Sequence, residues 1–366
     1  MGMRFWTLIC IPILLLGCVT ETVKSTAVPA LELPEQSIAS NEMLDVGVVV
    51  FDPGVSSTID EEQVYPDVRR AESTFVASKL AEVLTEQGSW GAVRVVPDNN
   101  QFTDLLVQGK ILLLNGEALE LQIKVTDARG IEWLDKRYMG ITSSYAYQRK
   151  TIEKQDPFLA VYRLIANDLL KLFNNRSSTD RLQIRQVAEL RFARDFASGA
   201  FGEYLEENES GKLKLTRLPS EDDPMLARIR GIRQRHYVFV DTLQSNYTEF
   251  ADEMYAPYQK WRELSYEETV IRRKMESEAT RELIMGGAAI LAGVAASTSG
   301  NRFGRAAGAV GAMGGGKLIK SGMAKREEAK IASLTLEELA MTLDNNVAPR
   351  VIELEDRTVR LTGNVE

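Results

Sequence analysis

The sequence predicts an α+β protein: a small mixed-sheet α/β domain, then a long antiparallel helical region that carries a glycine-zipper hairpin. Three observations carry that expectation. In Glu117–Asp127, apolar Leu119, Leu121, Ile123 and Val125 alternate with polar Glu120, Gln122, Lys124 and Thr126. That is the period of a strand with one buried and one wet face. Met225, Ile229, Ile232, His236, Val240, Leu243, Tyr247, Phe250 and Met254 recur at spacings of three and four, the period of one helix face. Residues 283–323 replace bulky side chains with small ones, placing Ala289, Gly293 and Ser297, then Gly304, Gly308, Ala312 and Gly316, at four-residue steps. A stripe without side-chain bulk lets two helix backbones approach closely.

The totals bound the rest. A chain of 366 residues accommodates about two domains. A net charge of −8 argues against a nucleic-acid footprint, which needs a basic face. The single histidine, His236, excludes a His-rich metal site and makes a serine–histidine–aspartate triad an unpromising reading. Both cysteines, Cys10 and Cys18, precede the body, so no disulfide framework is expected there. Gly314-Gly315-Gly316-Lys317 lacks the leading glycine and the following Ser or Thr of a phosphate loop. No carboxylate spacing matches a calcium loop. These exclusions point to a non-enzymatic chain without a cofactor or metal.

At the N-terminus, Arg4 precedes an apolar run from Phe5 to Leu16, the n- and h-regions of a secretory signal. The run is shorter than the ~20 apolar residues of a membrane span. Its ending, Leu15-Leu16-Gly17-Cys18, resembles a bacterial lipobox. The resemblance implies that residues 1–17 are removed as a signal peptide and that Cys18 is acylated. Val19, in place of Asp, implies sorting to the outer membrane, with the chain facing the periplasm. Residues 18–42 contain Thr, Ser, Pro and Glu without a period and predict a flexible lipidated tether.

Residues 43–175 then read as strand, helix, strand, three-strand meander and helix. Met43–Asp52 has an apolar centre and closes on Pro53-Gly54. Pro66–Gln87 carries a helical apolar face, and Gly88 suits the position just past its end. Trp90–Val96 is the next strand. Asn115-Gly116 between two strand patterns predicts a hairpin with a type I′ turn. Asp127-Ala128-Arg129-Gly130 turns into a third strand, Ile131–Met139. Asp156-Pro157 supplies a cap and a first-turn proline for a helix to about Phe173. The segments VGVVVFD (Val46–Asp52), DLLVQGKI (Asp104–Ile111) and LQIKVTDARGIEWLDK (Leu121–Lys136) resemble the α/β domain of envelope proteins related to the N-terminal domain of TolB, to CsgG and to PelC. The resemblance implies a fold for 43–175 and names no site.

Residues 176–346 predict a helical domain. Thr179–Leu205 is one helix, a polar loop follows, and Asp223-Pro224 starts the next. The long stripe from Met225 to Met254 predicts antiparallel coiled-coil-like pairing. Pro257 is expected to kink or break it. Tyr255, Tyr258, Trp261 and Tyr266 form either a headgroup-level aromatic belt or core packing around that break. His236 is either a proton-sensitive switch or a polar layer setting helix register. A third helix, about 266–285, leads into the small-residue hairpin, which either contacts the bilayer or self-associates. Ala324–Asn345 is helical again, and 347–366 predicts a short terminal β-hairpin.

The functional expectation is an outer-membrane lipoprotein, an oligomeric structural or accessory component of a cell-envelope or secretion assembly. Its partners are membrane lipid through acylated Cys18, and self-association or envelope proteins through the small-residue stripe. The alternative is a monomeric periplasmic binding module that docks a partner enzyme or channel.

Overall fold

A computed structural model of the chain describes residues 20–54, 66–99 and 102–297. Its centre is a six-stranded mixed sheet ordered β1-β6-β5-β4-β2-β3. The strands are β1 (Thr20–Lys24), β2 (Val46–Val49), β3 (Val93–Val96), β4 (Leu105–Leu114), β5 (Ala118–Asp127) and β6 (Glu132–Ile141). β2 lies parallel to both β3 and β4, and β4, β5 and β6 form the expected antiparallel meander. Val46, Val48, Val107, Leu121, Ile123 and Val125 are buried, as period-two alternation requires. Helices α1 (Pro66–Gln87) and α3 (Leu159–Asn174) cover the sheet, after a single turn of helix, α2 (Arg149–Ile152). Close packing fixes α3: a Cβ on Gly140 of β6 would meet Val161 of α3 at 2.4 Å.

Residues 18–42 were expected as a tether, but Thr20–Lys24 is a strand, parallel to β6 from Thr20↔Arg137 to Lys24↔Ile141. Its Thr and Val suit a strand, and it satisfies backbone groups along the outer edge of β6. The following segment is tied down too. Asn167 of α3 accepts the Glu32 N–H and donates to the Ala30 carbonyl, and Glu42 pairs with Arg181.

The Asn115-Gly116 hairpin forms, but not with a type I′ turn. Among the described residues positive φ occurs only at Gly54, Gly88, Gly130 and Gly211. Asn115 instead closes the turn with its side chain, its Oδ1 accepting the N–H groups of Glu117 and Ala118. Gly116 is needed for a different reason. A Cβ there would lie 2.3 Å from the Arg262 carbonyl oxygen and the Tyr266 nitrogen of the long helix.

The second half departs further from expectation. α4 (Ser178–Phe196) is capped by Ser177 and ends well before Leu205. α5 (Ser198–Phe201) and a 3₁₀ turn follow, and then the segment expected as loop pairs β7 (Leu205–Glu207) with β8 (Leu213–Leu215). Asn208 clamps that hairpin by accepting the N–H groups of Ser210 and Lys212, and Gly211 takes φ +73°.

α6 then runs unbroken for 74 residues, Pro224–Ser297, with Pro257 inside it. The predicted break and separate third helix are absent, because packing holds α6 on both sides of the proline. Phe250 and Met254 are buried before it, Tyr258 and Arg262 after it. The apolar stripe does not seek a second long helix in a coiled coil. Val240 packs on Val49 and Val96, Asp241 pairs with Arg94, and Gln244 accepts the Val95 N–H. α6 thus covers the β3 edge of the sheet, which would otherwise present unpaired backbone groups. α1 lies between sheet and α6, so even its Glu72, Ser73 and Ser78 are buried.

One hydrophobic core runs from Leu44 through Phe173, Val187 and Leu243 to Tyr258. The boundary expected near residue 175 does not divide it. Ala289, Gly293 and Ser297 lie in the last turns of α6. Cys18, the signal peptide, Gly304, Gly308, Ala312, Gly316, the remainder of the hairpin 283–323, the helix 324–345 and the tail 347–366 lie outside the described residues. Among the described residues, no helix is long and apolar enough to cross a membrane.

Candidate functional site

Two places on the body gather polar side chains where the fold would otherwise bury apolar ones. The first is the joint that fastens α6. Arg262 follows Met254 and Tyr258 at four-residue steps, so it continues the buried face of the helix. Its side chain is 0% exposed. Nη1 donates to Asp156 Oδ2 at 2.8 Å, and Gln259 Nε2 reaches the same oxygen at 3.0 Å. The other oxygen of Asp156 accepts the Phe158 N–H at 2.8 Å, ahead of α3. Asp156 and Pro157 were expected as cap and first helical residue, but α3 begins at Leu159 with Phe158 at its N-cap and no side-chain cap bond, so Asp156 fixes the turn ahead of the helix instead. The guanidinium carbon lies 4.1 Å from the Tyr258 ring centroid, 5.1 Å from Phe158 and 5.3 Å from Phe75. Its Nε and Nη2 are buried without a hydrogen-bond partner. Ring faces take the place of further acceptors.

Glu72 completes the joint. It accepts from the Tyr258 hydroxyl at 2.7 Å and faces Arg69 at 3.4 Å. Burial pushes its carboxyl above the usual range, against the pull of Arg69, Tyr258 and Arg262. The aromatic cluster expected around Pro257 belongs to this core: Tyr258 stacks on Trp261, Tyr266 meets Tyr147, and Tyr255 donates to the Ile152 carbonyl. The joint can hold α6 in one register. It offers no reacting pair open to solvent.

The second place is a cleft of about 290 Å³ between the far ends of β4 and β5, α4 and the β7–β8 hairpin. Arg191 and Arg194 of α4 both line it, as do Gln108, Thr126, Asn99 and Glu207. Arg191 Nη1 donates to the Ala128 carbonyl at 3.2 Å. Arg194 faces Glu207 at 3.5 Å. Burial and the neighbouring Arg194 hold Arg191 below the usual guanidinium range, partly offset by Glu207 and Asp127. The floor is rigid. Asp127 Oδ1 accepts the N–H groups of Arg129 and Ile131, and Oδ2 accepts from Arg129 and the Trp133 indole. Gly130 completes that turn at φ +76°.

Asp127, Gly130 and Trp133 fall in a segment from which the fold of 43–175 was expected, and their work here is structural. Asp104 is another. It accepts the Asp45 N–H at 2.8 Å and docks the start of β4 on β2. Burial raises its carboxyl to about 6, against the lowering effect of that N–H.

His236 lies among the rings of Phe102, Phe239 and, across the contact between α4 and α6, Phe192. Burial first, then Arg233 and Arg94, lower its pKa. Asp223 caps α6 by accepting the Met225 N–H at 2.8 Å. Among the described residues, no group of three or more His, Cys, Asp or Glu side chains is placed to hold a metal ion.

The sequence did not single out Arg262, Arg191 or Arg194, and marked Asp156 only as a helix cap. Arg262 left a trace, a charge at a position where the apolar stripe continues. The cleft arginines left none, because i, i+3 arginines on a helix are ordinarily a solvated face. Comparison with protein-family models, with curated proteins and with solved structures finds no match.

Proposed function

We propose that the chain is a non-enzymatic outer-membrane lipoprotein, anchored through acylated Cys18, facing the periplasm and acting as an oligomeric structural or accessory component of an envelope or secretion assembly. The observation that carries this reading is the long helix. α6 is clamped along the body as far as the Arg273–Glu117 pair. From there to Ser297 it extends roughly 36 Å at 1.5 Å per residue. Lys274, Ser277, Thr280 and Arg281 on that arm are exposed. In this reading the small-residue stripe Ala289, Gly293, Ser297, Gly304, Gly308, Ala312 and Gly316 serves a partner rather than the chain's own body.

The N-terminus supports a particular geometry. β1 begins at Thr20, so the fold starts within about 7 Å of the Cys18 Cα, two residues upstream. β1 runs towards the Ala118 and Ile141 end of the sheet, where α6 passes Gly116 and leaves the body. The arm leaves the body at the end towards which β1 runs from Thr20, which favours pairing of the zipper hairpin with other copies or envelope proteins over insertion in a bilayer on the Thr20 side. A second reading, a monomeric periplasmic module that docks a partner enzyme or channel, is favoured by the cleft on the body.

Mass measurement of the lipidated full-length protein in mild detergent separates the two. A discrete assembly that Gly293→Leu dissociates is the expected result. A monomer at micromolar concentration overturns the assembly and leaves the docking module.

A further inference from the structure

We infer that the cleft between α4, the β4–β5 end of the sheet and the β7–β8 hairpin is a binding site for a small polar carboxylic acid, with Arg191 and Arg194 holding its carboxylate. Charge bookkeeping points to the class of ligand. Asp127 lines the cleft, yet both of its oxygens are taken by the turn that carries Arg129, and Arg129 Nη2 faces it at 2.7 Å. That leaves two guanidinium groups facing one carboxylate, Glu207. The surplus is a single positive charge, which a monoanion neutralises and a dianion overshoots.

The like charges of Arg191 and Arg194 act against each other, and burial makes the Arg191 charge more costly still. An anion between them relieves both terms. Guanidinium groups bind carboxylates through planar, charge-assisted hydrogen bonds. At about 290 Å³ the cleft has room for more than a bare ion. Gln108, Thr126 and Asn99 supply amide and hydroxyl groups for the polar remainder of such a molecule.

Glu207 gives the site its sign test. It ends a three-residue strand, its side chain is 52% exposed, and it stands 3.5 Å from Arg194. So loose and solvated a pair contributes little. An incoming carboxylate takes its place, so Glu207 competes with the ligand.

The site stands on the body alone and is independent of the anchoring reading. The test is calorimetric titration of the full-length protein with N-acetylglycine, with its uncharged methylamide, and with inorganic phosphate. Saturable binding of N-acetylglycine, none of the methylamide and weaker binding of phosphate are expected. Arg191→Gln weakens N-acetylglycine by about tenfold or more, and Glu207→Gln tightens it several-fold. Phosphate binding more tightly than N-acetylglycine overturns the carboxylate assignment. No saturable binding of either anion overturns the site. If Arg191→Gln does not fold, Glu207→Gln still decides: unchanged or weaker binding in that variant sinks the inference.

Discussion

Asp104 shows how much one side chain carries. Its Oδ2 accepts the backbone N–H of Asp45, while its Oδ1 is buried without a partner. Burial holds its carboxyl at about 6 instead of 3.8. Between those values the folded chain binds a proton that the unfolded chain has released, so this residue's contribution to stability falls as pH rises. The span corresponds to roughly 3 kcal/mol across pH 4 to 7. Asp104→Asn should flatten that part of the profile and make the protein more stable relative to wild type at pH 7 than at pH 4. Urea unfolding at the two pH values checks it, and an unchanged slope counts against the assignment. Arg262 is the other decisive residue. It is legible as a charge interrupting Met254 and Tyr258 on one helix face, but its partner Asp156 lies 106 positions away. No local pattern encodes such a pairing. Asp127, Gly130 and Trp133 are the opposite case, because a turn clamp needs only neighbours.

Elements follow the same division. The strands of the meander were legible because alternation over ten residues reports a sheet with two unlike faces. Gly88 was legible as a helix stop and does take φ +68°. Gly116 was read for the wrong reason. The hairpin it belongs to forms, yet the absent side chain makes room for the backbone of α6 at 2.3 Å. Gly116→Ala should therefore cost about 1–3 kcal/mol by forcing helix and hairpin apart. Gly202→Ala, where a Cβ meets nothing within 4 Å, should be close to neutral. Thermal melts of both variants test the contrast, and equal effects would refute the close-approach argument. α6 itself overrides a local rule. A proline inside a helix costs about 3 kcal/mol, but the buried flanks at Met254, Tyr258 and Arg262 leave the helix no better path. β1 escaped notice because five residues of Thr, Glu, Val and Lys have no period until the β6 edge supplies one.

At the scale of the molecule, one continuous core joins the two sequence halves. α6 closes the β3 edge, buries one side of α1 and anchors to the α3 entry through Asp156. A chain ending at residue 175 loses all of that and exposes Phe75, Val96 and the buried charges Arg69 and Glu72. It should fail to fold independently. Circular dichroism and amide exchange of the truncated chain check this, and a cooperative native-like melt would restore the two-domain division. The sequence by itself determined the strands of the meander, the caps at Asp223 and Gly88 and the helical period from Met225 to Met254, because each rests on residues within a few positions of one another. Only the tertiary structure decided that α6 covers a sheet edge rather than a second helix, that residues 20–24 join the sheet, and that Arg191 and Arg194 share a cleft with a distant hairpin. An apolar stripe specifies that something must cover it, and the identity of that cover depends on which surfaces the rest of the chain leaves open.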